Sequence, residues 1–530
     1  MFRLVNENEY ARVIEEYVTM SDGVRLYTRV TMPKGKEKCP VVFVRTPYDE
    51  PLGGKSYDIN EVEKCNFVKN GYAVVRQHCR GTGDSEGDFM PYVERNDGLE
   101  TLDYIRSLPF YNGEIYLWGR SYLTTVHLCY LSAKPKDIKG AAFEIQTDRM
   151  FFRNYRNGCC YDLCFVGWWL NRLRRRFPEQ NREEIFKRPY KDLMKRVLGV
   201  DLPNYTKHLT NDTYNEFWTS DPRTFVVDDL EIPVIFIDGW YDFYTQGMFS
   251  MWERLPSETK KKSAFVVGPW GHDTKVKEDT EYPLTNGNIP EDYAAQWFDS
   301  IRDNRKYEHA EYGKVNYYSI GADEWGTAEY PLKQADTKRL YFNGDNKLCK
   351  TCGEGSFTYE YDPEKRLGAF KYMNIHKAEE INAIDGIISF VSDAFEEDES
   401  FFGEIGWHMN VASDCEDSAF YIRIYLEENG EAFNLTETIT SINNINKEYK
   451  PNDRIIIDIK TPPIGFTVKK GNKIRVDIAS DGGVYIPNAN VKGHWAEITE
   501  TKVAKNTIFC DDAYIELPKT NFNHKETTSE

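Results

Sequence analysis

At 530 residues the chain is longer than one hydrophobic core organises, since cores stop growing near roughly 250–300 residues, so two or three domains are expected. Its 40% hydrophobic and 14% aromatic content excludes wholesale disorder. The 67 Lys and Arg against 85 Asp and Glu leave a formal charge of −18, a field that repels phosphate and so excludes nucleic acid and anionic membrane surfaces as natural partners.

The first residues, MFRLVNENEYARVIEEYV, carry acids where a secretory leader has an apolar core, and no run approaches the ~20 apolar residues of a membrane span. A cytoplasmic protein is expected. The 11 cysteines are scattered from Cys39 to Cys510 with no regular framework, which suits free thiols in a reducing compartment. The cluster Cys159, Cys160 and Cys164 lies among aromatics and reads as apolar packing. Cys349-x-x-Cys352 is half a zinc motif with no second pair to complete four ligands.

Short apolar runs bounded by Pro and Gly follow one another at 40–44 (PVVFV), 72–75 (YAVV), 114–118 (EIYLW), 140–145 (GAAFEI), 233–237 (PVIFI) and 263–267 (SAFVV). Apolar residues on consecutive rather than alternating positions are what strands buried on both faces require, and the intervening segments are long enough for crossover helices. The fold class expected is α/β with a parallel sheet over 1–146 and 231–329. Between them, 147–230 breaks into aromatic and charged segments of helical spacing (RMFFRNYRNG, WWLNRLRRRF, YKDLMKRVLG), an inserted helical cap above one sheet edge. From 330 to 530 the runs alternate (KRLYFN, SFTYEY, FYIRIYL, RIIIDI, KIRVDI), the pattern of an antiparallel β-sandwich. The polar tail FNHKETTSE reads as frayed.

The chemistry-bearing residues stand after these strands. Gly119-Arg120-Ser121-Tyr122-Leu123-Thr124 follows EIYLW and precedes a helical pattern, so Ser121 sits on a strand-to-helix elbow with backbone N–H groups beside it. Serine needs a base, and the base an acid that fixes its tautomer. Asp242 follows PVIFI in DGWYDFY and His272 follows SAFVV in GPWGHD, giving the chain order Ser, acid, His used by α/β-hydrolases. Other roles for this pair are a turn cap and a loop histidine bonded to backbone. An oxyanion needs two donors. The N–H of Tyr122 is one, and Tyr48, in Arg45-Thr46-Pro47-Tyr48-Asp49 after PVVFV, is either the second or a tyrosine packed on a rigid Pro turn. Arg80-Gly-Thr-Gly-Asp-Ser-Glu-Gly87 lacks the spacing of a nucleotide loop and reads as a wall beside the elbow. Trp168 and Trp169 in the cap, with Tyr244 beside the acid, are candidates to line an acyl pocket or plain packing residues. No metal or organic cofactor is expected, because the triad supplies both nucleophile and base.

SDGVRL, RTPYD, RGTGDSEGDF, GRSYL, IPVIFIDGWYD, VVGPWGHD and KIRVDIASD together resemble the cocaine esterase and X-Pro dipeptidyl-peptidase group of serine hydrolases, across nearly the whole chain. The resemblance implies an α/β-hydrolase domain interrupted by a helical cap and followed by a jelly-roll-like sandwich. It also implies Ser121 as nucleophile, Asp242 as acid, His272 as base, and Tyr48 with the N–H of Tyr122 as oxyanion donors. The group's elbow usually continues Gly-x-Ser-Tyr-x-Gly; Thr124 stands in the last place, which puts the turnover rate in question. The peptidases of the group are usually longer, with a further N-terminal domain. The expected activity is therefore hydrolysis of a small-molecule ester or amide by acyl transfer, an esterase first. An X-Pro dipeptidyl-peptidase or acylase, or a binding protein with a weakened elbow, is the alternative. The natural substrate and the oligomeric state, a homodimer included, stay open.

Overall fold

The computed structural model describes residues 3–48, 66–161, 164–220, 227–278, 280–332, 336–521 and 523–524. Among the described residues, thirteen strands precede the sandwich: β1 Arg3–Glu7, β2 Ala11–Thr19, β3 Arg25–Pro33, β4 Cys39–Thr46, β5 Ala73–His78, β6 Tyr111–Arg120, β7 Ile138–Glu144, the two-residue β8 Tyr155–Arg156 and β9 Cys159–Cys160, β10 Val234–Gly239, β11 Ala264–Gly268, β12 Val315–Ser319 and β13 Glu324–Ala328. All but β8 and β9 join one sheet in the order β1-β2-β3-β5-β4-β6-β7-β10-β11-β12-β13, with Asn523–His524 at its end. From β5 to β12 every neighbouring pair is parallel. The first three strands and β13 run antiparallel at the two edges.

The consecutive apolar runs have the cause inferred from sequence. In β4, Val41 and Phe43 join the core on one face while Val42 and Val44 join the core on the other; in β10, Val234 and Phe236 divide from Ile235 and Ile237 in the same way. Each strand therefore buries both faces, and alternation disappears. Helix Tyr122–Leu131, whose ten residues are all buried, covers one face. Helix Tyr293–Arg302 covers the other, with the Trp297 indole N–H donating to the Ala141 carbonyl at 3.0 Å.

The inserted segment contains short helices, among them Phe151–Asn154, Cys164–Arg172, Leu193–Leu198 and Pro203–Thr210, together with the β8–β9 hairpin, strands that its helical spacing does not announce. This cap is bonded to the sandwich. The Asn157 amide donates to the Thr438 hydroxyl and the Ile439 carbonyl, Arg188 donates to the Pro487 carbonyl, and the Lys191 N–H donates to the Ala496 carbonyl.

The sandwich is a 12-stranded antiparallel assembly apart from one parallel pair, spanning Thr337–Phe342 to the long strand Ala504–Thr520. The strands expected from KRLYFN, SFTYEY, FYIRIYL, RIIIDI and KIRVDI are all present. Part of the tail expected to fray instead returns to the hydrolase sheet: Asn523 and His524 pair with Thr327 and Gly326 of β13. The sandwich is joined to the sheet by backbone bonds, the Thr467 N–H donating to the Ile320 carbonyl at 2.7 Å and the Ile320 N–H to the Gly465 carbonyl at 3.1 Å. Beside them Phe402, which has no exposed surface, packs on Trp240, Tyr317, Phe249 and Tyr330. Among the described residues no helix is long and apolar enough to cross a membrane.

Because Phe402 is shared by both domains, Phe402→Ala should lower stability by about 3–5 kcal/mol, the usual cost of a large aromatic cavity. Urea unfolding followed by tryptophan fluorescence reads it; a change below ~1 kcal/mol would show that the domain interface is not closely packed at this point.

Candidate active site

Strand β6 ends in Gly119 and Arg120, the chain turns sharply, and helix Tyr122–Leu131 begins. Ser121 occupies the turn with φ 54° and ψ −127°, a conformation costing a non-glycine residue of order 1–3 kcal/mol that persists only where the surroundings impose it. They do so here at Gly119. A Cβ on that residue would lie 2.5 Å from the Leu123 carbonyl and the Thr124 nitrogen, so only glycine lets the helix start this close to the strand. The departure at Thr124 does not disturb this approach. Its hydroxyl donates to the Gly119 carbonyl at 2.6 Å and receives the Glu144 N–H at 3.3 Å, spanning strand and helix from a fully buried position.

Arg120 turns away from the serine hydroxyl. Its Nε bonds the Glu144 carboxylate at 2.7 Å, and an amino group bonds the Thr274 hydroxyl at 2.8 Å. Glu144, with no exposed surface, also accepts from the Tyr293 phenol, and its carbonyl receives the Ser121 N–H at 3.0 Å.

His272 lies between the serine and the acid. Its Nε2 is 3.0 Å from Ser121 Oγ and its Nδ1 is 2.6 Å from Asp242 Oδ2. The other oxygen of Asp242 receives the Tyr244 N–H at 2.7 Å, which fixes the carboxylate plane. Phe243 stacks on the imidazole, ring centres 5.0 Å apart and planes 16° apart. Gly239 allows the two loops to meet, since a Cβ there would stand 2.1 Å from the Trp270 carbonyl. Asp238, the residue before Gly239, is wholly buried, and desolvation pushes its carboxyl well above the usual range, the charge of Asp242 adding to the effect.

Tyr48 brings its phenol to 3.4 Å from Ser121 Oγ. Cap residues hold it there: the Arg172 guanidinium lies over its ring at 5.0 Å and donates to the Pro47 carbonyl at 2.8 Å, while Trp168 meets the ring edge-on. The Tyr122 N–H is the first of its helix and has no acceptor within it. A cavity of about 320 Å³ opens over Ser121, walled by Tyr48, Trp168, Tyr244, Arg153 and Met373 among others.

Of the pocket candidates, Trp168 and Tyr244 line this cavity. Trp169 does not: the adjacent position on a helix points away, and its side chain is buried against Tyr205 and His208 in the cap's own core. The Arg80–Gly87 segment forms a rigid bend rather than a wall of the cavity. Arg80 pairs with Asp97 and Asp22, and Ser85 donates to the His78 carbonyl. Cys349 and Cys352 are free thiols, and among the described residues no group of three or more His, Cys, Asp or Glu side chains is placed to hold a metal. Sequence reasoning missed Arg153, Tyr92 and Met373. Arg153 stands in a segment whose only visible signal is helical spacing, and Met373 reaches the site from the sandwich, where its carbonyl would lie 1.9 Å from a Cβ on Gly271, the residue before His272.

Residues 22–274 match the family model of X-Pro dipeptidyl-peptidase (S15 family), and residues 309–516 match that of the X-Pro dipeptidyl-peptidase C-terminal non-catalytic domain. The cocaine esterase of Rhodococcus sp. (strain MB1 Bresler) is 23% identical over 402 residues, covering 67% of this chain and 68% of that protein. Among solved structures, an aminopeptidase from a Thaumarchaeota archaeon superposes with TM-score 0.80 at 18% identity, and an α-amino acid ester hydrolase with TM-score 0.79 at 20% identity; each covers 98% of both chains. The chain belongs to the cocaine esterase and X-Pro dipeptidyl-peptidase family of serine hydrolases, with the fold of an α/β-hydrolase followed by a β-sandwich.

Gly119→Ala tests the elbow. The added methyl must push the helix start away from β6 and displace Ser121 Oγ, so kcat should fall by about 10²-fold or more while far-UV circular dichroism stays native. Activity within about threefold of wild type would mean that the close approach at Gly119 does not set the serine's position.

Proposed function

We propose that this member of the family hydrolyses carboxylic esters through a covalent acyl-enzyme, with Ser121 as nucleophile, His272 as base and Asp242 as the acid that orients it. The observation that carries this reading is the unbroken chain of hydrogen bonds from Asp242 through His272 to a serine held at positive φ. Ser121 Oγ attacks the ester carbonyl as its proton passes to His272 Nε2, and the Asp242 carboxylate stabilises the imidazolium. The oxyanion forms against the Tyr48 phenol and the Tyr122 N–H, at a helix start where negative charge is favoured. As the intermediate collapses, His272 gives the proton to the leaving alkoxide. Water, deprotonated by the same imidazole, then attacks the acyl group and releases the acid and free Ser121. The Arg172–Tyr48 contact gives the cap a part in this step, because it fixes the donor's ring before charge develops. We place the cap at 147–230 and the protein in the cytoplasm, a reading supported by the free thiols among its described cysteines.

The family match supports a second reading, cleavage of X-Pro amides or other small amides by the same residues. Rates on an X-Pro-anilide and on aryl esters separate the two.

A fluorophosphonate probe should label wild type at Ser121, located by peptide mapping, and should leave Ser121→Ala unlabelled. Labelling elsewhere, or none, defeats the assignment, and none favours a binding protein. Asp242→Asn should lower kcat by roughly 10⁴-fold with the fold intact, because the imidazole loses its tautomer and its counter-charge; retention of more than about a tenth of the activity points to another carboxylate.

Tyr48→Phe should lower kcat by roughly 10²–10³-fold, about 2.7–4 kcal/mol, with KM almost unchanged. A kcat within about threefold of wild type at an unchanged thermal midpoint removes the phenol from the reaction.

A further inference from the structure

A second cavity, of about 80 Å³, adjoins the one over Ser121; Arg153, Phe243, Tyr372 and Met373 stand in the walls of both. Its other walls come from the cap, through Arg156, and from the sandwich, through Arg423, Asn434 and Glu437. Arg156 is 7% exposed. Its Nε reaches no acceptor among the described residues, one amino group makes a long 3.4 Å bond to the Glu437 carbonyl, and its guanidinium lies 5.1 Å from the Tyr161 ring centre. One oxygen of the Glu437 carboxylate receives both Arg423 and the Tyr421 phenol, so its charge and the Tyr485 phenol act on Arg156 without closing an ion pair, and the Asp242 carboxylate is bonded to His272. Among the described residues no carboxylate comes within ion-pair distance of Arg156, whereas Arg423, which the sandwich contributes, is paired with Glu437.

A buried guanidinium with an idle donor is costly unless an anion meets it, and its planar fork matches a carboxylate. The volume suffices, since about 10–15 Å³ already holds a water. We infer that this cavity is a subsite for a carboxylate on the substrate, received by Arg156, so that the preferred ester carries an anionic group remote from its scissile carbonyl. The inference rests on the esterase reading for its substrate but not for its binding site. It also runs against the chain's overall charge of −18, so selection for an anion has to be local.

Two matched pairs test it. On the acyl side, the mono-4-nitrophenyl ester of adipic acid is compared with that of adipamic acid; on the alcohol side, 4-carboxyphenyl hexanoate is compared with 4-carbamoylphenyl hexanoate. Wild type should favour the charged member of one pair by about tenfold or more in kcat/KM, and the pair that shows it tells which half of the ester carries the carboxylate. Arg156→Gln should reduce that preference to within about twofold. A ratio near one in both pairs, or a ratio that Arg156→Gln leaves unchanged, overturns the subsite. If Arg156→Gln does not fold, Arg156→Lys, which keeps the charge but loses the fork, should cut the preference severalfold, and an unchanged preference overturns it. Failure to cleave any of the four esters counts against the esterase reading alone. Calorimetric titration with adipate then decides the subsite: binding weakened tenfold or more by Arg156→Gln supports it, and no binding, or equal binding, overturns it.

Discussion

Glu144, a carboxylate without exposed surface, joins the segments of the sheet edge that carry Ser121 and His272. Its backbone N–H and carbonyl bond the Thr124 hydroxyl and the Ser121 N–H. Its side chain bonds Arg120 just before the serine and Tyr293 from the helix across the sheet, and Thr274 of the histidine loop shares Arg120 with it. A buried charge of this kind is stable only with its partners in place, because an unpaired one costs several kcal/mol. The elbow, the His272 loop and the rear helix are thus held by one residue, and the strained backbone at Ser121 is supported by neighbours that cannot relax independently.

Much of this was legible in the sequence because it depends on local grammar. Doubly buried strands such as β4 and β10 write themselves as unbroken apolar runs. The residues after their carboxyl ends, Ser121, Asp242 and His272, can be picked out because a parallel sheet brings all such ends to one edge. The N-terminal strands β1–β3 carry no such signal: Arg, Glu and Thr interrupt their apolar residues on an edge that water reaches. Thr124 looked like a defect because a motif records which residue is usual and not what its side chain can bond. The difference between Trp168 and Trp169 is one step of 100° around a helix, and deciding which of them faces the cavity requires the helix's orientation, which no short window contains.

Contacts over long sequence separation were the least visible. Met373 reaches the histidine loop from roughly a hundred residues downstream, and Arg423 and Glu437 line one cavity with Arg156 across the junction of cap and sandwich. In the sandwich, alternation reports only that a residue faces inward. It does not report that one rim of the sandwich lies against the hydrolase edge, which is set by pairing between Ile320 and Phe466 and by the packing of Phe402.

The bonds that tie the cap to the sandwich also bear on how such proteins diversify. A cap attached only to its own domain can be exchanged between relatives as a cassette. Here Asn157, Arg188 and Lys191 are bonded to sandwich groups, and Gly158 sits where a Cβ would lie 2.4 Å from the Asn444 side chain. A transplanted cap would strand those donors and acceptors unless the matching sandwich loops travelled with it. Cap and sandwich therefore form one unit of inheritance, and changes in substrate range along a lineage should appear as paired substitutions across their seam.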